Sequence, residues 1–201
     1  HMNLVIDIGN TRIKYALFSG RDMVLSKSID PSSFDGIFED CKGQQVDQCI
    51  LSASGKIEDS WTDSLKEKYK LLILDHQTPL PIRIVYETPE TLGRDRVAGV
   101  VAAWTLFPNE TSLVIDMGTC ITTNIINKSG EFLGGTISPG LSMRTKAMNE
   151  FTESLPLVPL ELPGEFIGRN TVESLQNGVL RGTFYEIQSF IDNITPVFSI
   201  N

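Results

Sequence analysis

Apolar and β-branched runs broken by single glycines predict strands at the head of the chain. Asn3-Leu-Val-Ile-Asp-Ile8 and Arg12-Ile-Lys-Tyr-Ala-Leu-Phe18 flank Gly9-Asn10-Thr11, the pattern of a β-hairpin. The pattern returns 109 residues later, where Leu-Val-Ile-Asp recurs letter for letter at 113–116, followed by Gly118 and a second strand over Ile121–Ile126. Two strand-turn-strand units, each opening its half of the chain, point to a duplicated domain. Between them the pattern predicts a strand over Met23–Ser28, a helix over Phe34–Cys41 and a strand over Cys49–Ala53. A helix over Ile57–Lys70 and a strand over Leu71–Leu74 follow. Val97, Val100, Val101 and Trp104 fall at i, i+3, i+4 and i+7, an amphipathic helix within Gly93–Phe107. Pro108-Asn109-Glu110 ends it, so the domains are expected at 2–108 and 109–201. The second half predicts a third strand over Phe132–Ile137, helices over Leu141–Glu150 and Thr171–Ile194, and a final strand over Pro196–Ile200. Strands interleaved with helices in this way argue for α/β domains with mixed sheets.

Composition narrows the partners. Lys and Arg number 17 against 25 Asp and Glu, a net charge of 17 − 25 = −8, with no basic run. That argues against nucleic acid or an anionic membrane as the main partner, and leaves room for a local basic pocket that takes phosphate. No apolar stretch reaches the roughly 20 residues of a membrane span. Three cysteines without a C-x-x-C pair read as reduced thiols of a cytoplasmic protein. His1 reads as a cloning remnant ahead of Met2, which leaves His76 as the one other histidine and little material for histidine triads or metal clusters.

The candidate chemistry sits at turns and one helix start. Asp7 ends the first strand before Gly9-Asn10-Thr11, and Lys14 follows on the next strand. Glycine lets backbone approach a ligand, the N–H groups of such a turn suit phosphate, and an aspartate can hold the water shell of Mg²⁺. An ordinary hairpin turn is the plainer alternative. Asp116, Gly118, Thr119 and Thr122 repeat the arrangement, so the two turns could grip one nucleotide. Asp95, at the start of the Val97 helix, can favour the helix dipole or take a proton from an alcohol. Arg96 beside it can bind a carboxylate or form a surface ion pair. Gly134-Gly135-Thr-Ile-Ser138-Pro139-Gly140 is either an anion-binding approach to a helix or a plain loop. Met143, Met148, Trp61 and Trp104 read as packing residues. Walker A and G-x-G-x-x-G motifs are absent.

Asp7–Lys14 (D-I-G-N-T-R-I-K), Gly93–Arg96 (G-R-D-R), Asp116–Thr119 (D-M-G-T) and Gly134–Gly140 (G-G-T-I-S-P-G) together resemble the ordered signatures of type III pantothenate kinase. The resemblance runs from residue 3 to about 171 and extends to the superfamily of acetate kinase, sugar kinases and actin. It implies two ribonuclease-H-like domains with a cleft between them, a homodimer, and transfer of the ATP γ-phosphoryl group to the 4′-hydroxyl of pantothenate on the way to coenzyme A. By position it implies that Asp7, Ile8, Gly9, Asn10, Thr11, Arg12, Ile13 and Lys14 bind phosphate, with Asp7 holding Mg²⁺ through water. Thr119 would contact the nucleotide, and Asp116 a monovalent cation, K⁺ or NH₄⁺. Asp95 would be the proton acceptor, and Tyr86, Gly93, Arg94, Asp95, Arg96 and Thr171 would contact pantothenate. The family continues past residue 201 with a strand, a glycine pair beside adenine and a closing helix, so a shortened C-terminus is expected here. Two other readings stay open: a non-catalytic accessory protein of this fold, and a kinase of the same superfamily acting on a sugar or acyl acid.

Overall fold

In the computed structural model, which describes residues 1–198 and 200, two mixed sheets form, each flanked by helices. The first takes β1 (Met2–Ile8), β2 (Ile13–Ser19) and β3 (Asp22–Ile29) as an antiparallel meander. β4 (Val46–Ala53) and β5 (Lys70–Ile73) then add in parallel on the far side of β1, giving the order β3-β2-β1-β4-β5. The parallel additions need crossovers. A 3-10 turn at Pro31–Ser33 with α1 (Gly36–Asp40) supplies one, and α2 (Asp59–Lys68) the other. Strict alternation decides which face is covered. Leu4, Ile6 and Ile8 of β1, Ile13, Tyr15 and Leu17 of β2, and Cys49 and Leu51 of β4 share one core with Phe34, Ile37 and Leu65. Each such side chain contributes about 1.5–3 kcal/mol on burial. Trp61 completes the layer, its ring stacked on Phe34 at 4.6 Å, as its packing assignment expected.

Beneath this sheet the core holds ionisable groups. Tyr15 Oη donates to Asp40, which also takes Lys27 Nζ at 2.8 Å. The hydrogen bonds from Lys27 and then Tyr15 hold the Asp40 carboxyl below its usual range. Burial, then the Asp40 contact, raises Tyr15. Burial pushes the Cys49 thiol up to about 12, and raises Cys41 and Tyr69 as well.

The second sheet has the order β6-β9-β8-β7. β7 (Ser112–Met117), β8 (Cys120–Ile126) and β9 (Glu131–Pro139) repeat the antiparallel meander, and the two-residue β6 (Arg83–Ile84) lies parallel to β9. β8 is buried along Ile121–Ile126, so its polar side chains are satisfied sideways: Asn124 Nδ2 donates to Thr122 Oγ1 at 3.2 Å, and the Thr123 and Thr136 hydroxyls meet at 2.6 Å. Gly134 and Gly135, candidates for an anion loop, lie inside β9. A Cβ on Gly135 would collide with the Thr123 carbonyl, and Gly134 has a φ of +113°. They serve strand packing at a bulge.

α3 (Arg94–Leu106), α4 (Leu141–Glu150) and α5 (Thr171–Phe198) complete the chain. Trp104 packs over Gly130, as expected of a packing residue. The final strand expected over Pro196–Ile200 does not form, because α5 continues through Pro196 to Phe198. Proline's fixed φ suits a helix, and its missing N–H removes one bond in the last turn, where disruption costs least. Thr195 Oγ1 ties that turn to the Ile191 carbonyl at 2.8 Å. Ser199 and Asn201, parts of that expectation, lie outside the described residues. By contacts the chain divides into a first unit, His1–Leu80 with Glu87–Ala98, and a second, Pro81–Tyr86 with Gly99–Asn201.

Candidate functional site

The two repeated aspartates end strands whose turns differ by one residue. In the first hairpin the last paired residues are Ile8 and Ile13, which leaves Gly9–Arg12 as the turn, closed by Gly9 N–H donating to the Arg12 carbonyl at 3.0 Å. In the second, Met117 pairs with Ile121, and Gly118 N–H donates to the Cys120 carbonyl at 2.9 Å. A Cβ on Gly9 would lie 3.1 Å from the Arg12 carbonyl, so the first turn is closed too tightly for a larger residue without movement. Asn10 and Thr11 form its exposed tip. Arg12 is engaged elsewhere, donating from Nη2 to the Ser28 carbonyl at 2.7 Å, which ties the turn to β3. Ile8 and Ile13 are buried in the core, so their side chains face away from any ligand.

Register assembles the rest of the first site. Asp7 pairs with Lys14 of β2 and, on its other side, with Ser52 of β4. Paired positions share a sheet face. Since Ile6, Ile8, Ile13 and Leu51 point into the core, Lys14, Asp7 and Ser52 form a row across three strands on the opposite face. The segment after β4 clasps the turn: Ser54 and Gly55 N–H groups both donate to the Ile8 carbonyl, at 3.0 and 3.1 Å. A Cβ on Gly55 would sit 2.6 Å from the Gly9 carbonyl. Neither Ser52 nor Gly55 is visible as a site residue in the sequence, because the parallel β1–β4 pairing is a long-range fact that local pattern does not carry. A cavity of about 660 Å³ lies at the other end of these strands, lined by Val5, Phe18, Ile50 and Leu72 among others; its apolar wall does not suit phosphate.

Also in the first unit, Asp95 stands in the first turn of α3 with Oδ1 accepting the Arg96 backbone N–H at 2.8 Å. A Cβ on Gly93 would lie 2.5 Å from that oxygen, so glycine is what lets the carboxylate fold back over the helix start. Arg94 braces the preceding loop through Nη2 to the Glu90 carbonyl at 3.1 Å. Arg96 is only 5% exposed, which excludes the surface ion pair that was its plainer alternative.

In the second unit Asp116 and Thr119 are exposed around the shorter turn, and Asp116 pairs in register with Thr122 where Asp7 has Lys14. Gly140 buttresses this turn: its N–H donates to the Thr119 carbonyl at 3.0 Å, and a Cβ there would meet the carbonyls of Gly118 and Thr119. Arg144 fixes the approach, donating from Nε to the Pro139 carbonyl at 2.8 Å and pairing with Glu186. Contacts from Ser138, then Arg144, hold the Glu186 carboxyl below its usual range. Tyr86 stacks on Phe132 at 6.1 Å and lies beside Gly134. Thr171 opens α5 just after Asn170, whose Oδ1 caps Glu173 N–H at 2.9 Å, while Glu173 Oε2 accepts Arg169 N–H at 2.9 Å.

Among the described residues no three His, Cys, Asp or Glu side chains gather to cage a metal. A single carboxylate beside a glycine turn, as at Asp7, fits a hydrated divalent ion held jointly with phosphates. No helix among the described residues is long and apolar enough to cross a membrane.

The sequence profile of the type III pantothenate kinases matches residues 3–193. A type III pantothenate kinase of Bacteroides fragilis is 44% identical over 191 residues, covering 94% of this chain and 79% of the relative. One of Cytophaga hutchinsonii is 40% identical over 191 residues, covering 95% and 80%. Among solved structures, a Campylobacter jejuni protein assigned to the Baf family of transcriptional activators superposes with a TM-score of 0.59 at 20% identity, covering 92% of this chain and 78% of that one; this likeness concerns the fold.

Proposed function

Because the chain belongs to the type III pantothenate kinase family, we propose how its residues divide the work of that reaction. The chain phosphorylates pantothenate with ATP to give 4′-phosphopantothenate, the entry to coenzyme A. Asp95 is the proton acceptor for the attacking hydroxyl. The observation that carries this role is its carboxylate, held over the start of α3 by Arg96 N–H above a Cβ-less Gly93. Arg96 and Arg94 hold the pantothenate carboxylate, with Gly93, Tyr86 and Thr171 as further contacts. The Asp7–Lys14 segment receives the phosphates, Lys14 as a point charge and the tip of the turn through backbone N–H groups. Bound Mg²⁺ supplies charge neutralisation on the phosphates, and Asp7 would hold it through water. Asp116 holds a monovalent cation, K⁺ or NH₄⁺, and Thr119 contacts the nucleotide.

The repeated aspartate hairpins, each continued by a three-strand meander, support two ribonuclease-H-like domains, 2–108 and 109–201, that take one nucleotide in a shared cleft. The exposed Phe151, Phe166, Ile167 and Phe184 support a homodimer that covers apolar area. Free cysteines, two of them buried, support a reducing, cytoplasmic setting.

The test is phosphoryl transfer from ATP to pantothenate, followed with and without K⁺. Asp95→Asn is expected to lower kcat by about 10²–10⁴-fold with the melting temperature unchanged. Full activity in that variant refutes the proton-acceptor role.

A further inference from the structure

Ser52 has no place in the sequence signatures, and its position is hard to explain as packing. It is 8% exposed, and its hydroxyl is buried with no hydrogen-bond partner. A buried hydroxyl left unbonded is costly, and alanine would avoid the cost at the same size class. Parity places Ser52 off the core face that Cys49 and Leu51 occupy, and register places it beside Asp7. The strand that carries it leads directly into Ser54 and Gly55, the residues that clasp the Ile8–Gly9 backbone.

We propose that Ser52 is a positioning residue for Asp7: when nucleotide and divalent ion bind, its hydroxyl turns about χ1 and donates to the Asp7 carboxylate. Serine's staggered rotamers make that turn inexpensive, and a hydrogen bond to a carboxylate is of the stronger, charge-assisted kind. The bond fixes which way the carboxylate faces, so that its remaining lone pairs meet the hydrated ion rather than β4. The unpartnered Ser52 hydroxyl is thus the second half of an interaction that nucleotide and divalent ion complete. This inference rests on the assignment of Asp7 to the divalent ion.

The test compares full-length wild type, Ser52→Ala, Ser52→Thr and Asp7→Asn. The Mg²⁺ complex of the β,γ-imido analogue of ATP is titrated calorimetrically into each, beside melting curves without ligand and KM for pantothenate. Ser52→Ala is expected to bind the Mg²⁺ complex about tenfold more weakly, to melt no lower than wild type and to keep its pantothenate KM. Ser52→Thr, which keeps the hydroxyl, restores tight binding. If Asp7→Asn weakens binding while Ser52→Ala leaves it at the wild-type value, the role of Ser52 is overturned and the assignment of Asp7 stands. A lowered melting temperature in Ser52→Ala with unchanged affinity overturns it equally, since that is what packing alone would give. If Asp7→Asn itself binds like wild type, the assignment of Asp7 fails and the inference with it.

Discussion

The two aspartate hairpins share four letters of sequence and diverge in what surrounds them. The first has a four-residue turn, a lysine opposite its aspartate and a parallel strand on the aspartate's other side. The second has a turn one residue shorter, a threonine opposite its aspartate, and no strand beyond β7 among the described residues. Register thus puts a lysine beside the first aspartate and a threonine beside the second. One pattern is repeated, and its register neighbours differ between the two copies. The buttressing glycines show the same economy by different routes: Gly55 arrives from a parallel strand, Gly140 from an antiparallel one, and each presses against the carbonyl of the turn's own glycine.

The largest expected effect that would break this comparison is on cation dependence. Asp7→Asn should raise the Mg²⁺ requirement and cut kcat/KM by about 10²-fold or more, with K⁺ activation retained. Asp116→Asn should abolish K⁺ activation with the Mg²⁺ requirement retained. Steady-state rates over a grid of both ions distinguish them, and a shared defect in both variants would show that the turns are not specialised. Next come the glycines. Gly55→Ala and Gly140→Ala each force a methyl against turn carbonyls and are expected to cost about 1–3 kcal/mol in urea unfolding; equality with wild type at either position would remove that buttress from the comparison.

The smallest effect concerns pH. Only the first unit buries the Tyr15, Cys41, Cys49 and Tyr69 cluster, whose folded-state pKa values all lie above the ordinary ones. The unfolded chain ionises these groups first, near 9 for thiols and 10 for tyrosines. Their contribution is therefore whole below about pH 9 and declines as pH rises toward the folded-state values. Hydrogen exchange at pH 7 and 10 should show protection lost sooner in β1, β2 and β4 than in β7–β9, and uniform loss would contradict this.

What the sequence revealed follows from the range of the forces involved. Alternation located β1, β2, β7 and β8, and 3.6-residue periodicity located α3, because both are local. The Leu-Val-Ile-Asp repeat and the G-R-D-R motif exposed Asp7, Asp116 and Asp95 for the same reason. Pairing partners were hidden: nothing near Ser52 announces that Asp7 will lie beside it, and nothing near Gly134 announces that Thr123 will press against its neighbour. The end of α5 departs from the strand expected over Pro196–Ile200, because the helix runs on through Pro196 to Phe198.

The joined hydroxyls of Thr123 and Thr136 carry a consequence for how this family can drift. Thr123 is buried and its Oγ1 takes both the Thr136 hydroxyl and the Thr136 backbone N–H, whereas Thr136 is exposed. Valine at 123 removes an acceptor used twice, while valine at 136 leaves the Thr123 oxygen still bonded. The two sites are therefore not equally free to wander. Lineages should keep a hydroxyl at 123 while 136 varies, and a comparison of many relatives would register that asymmetry.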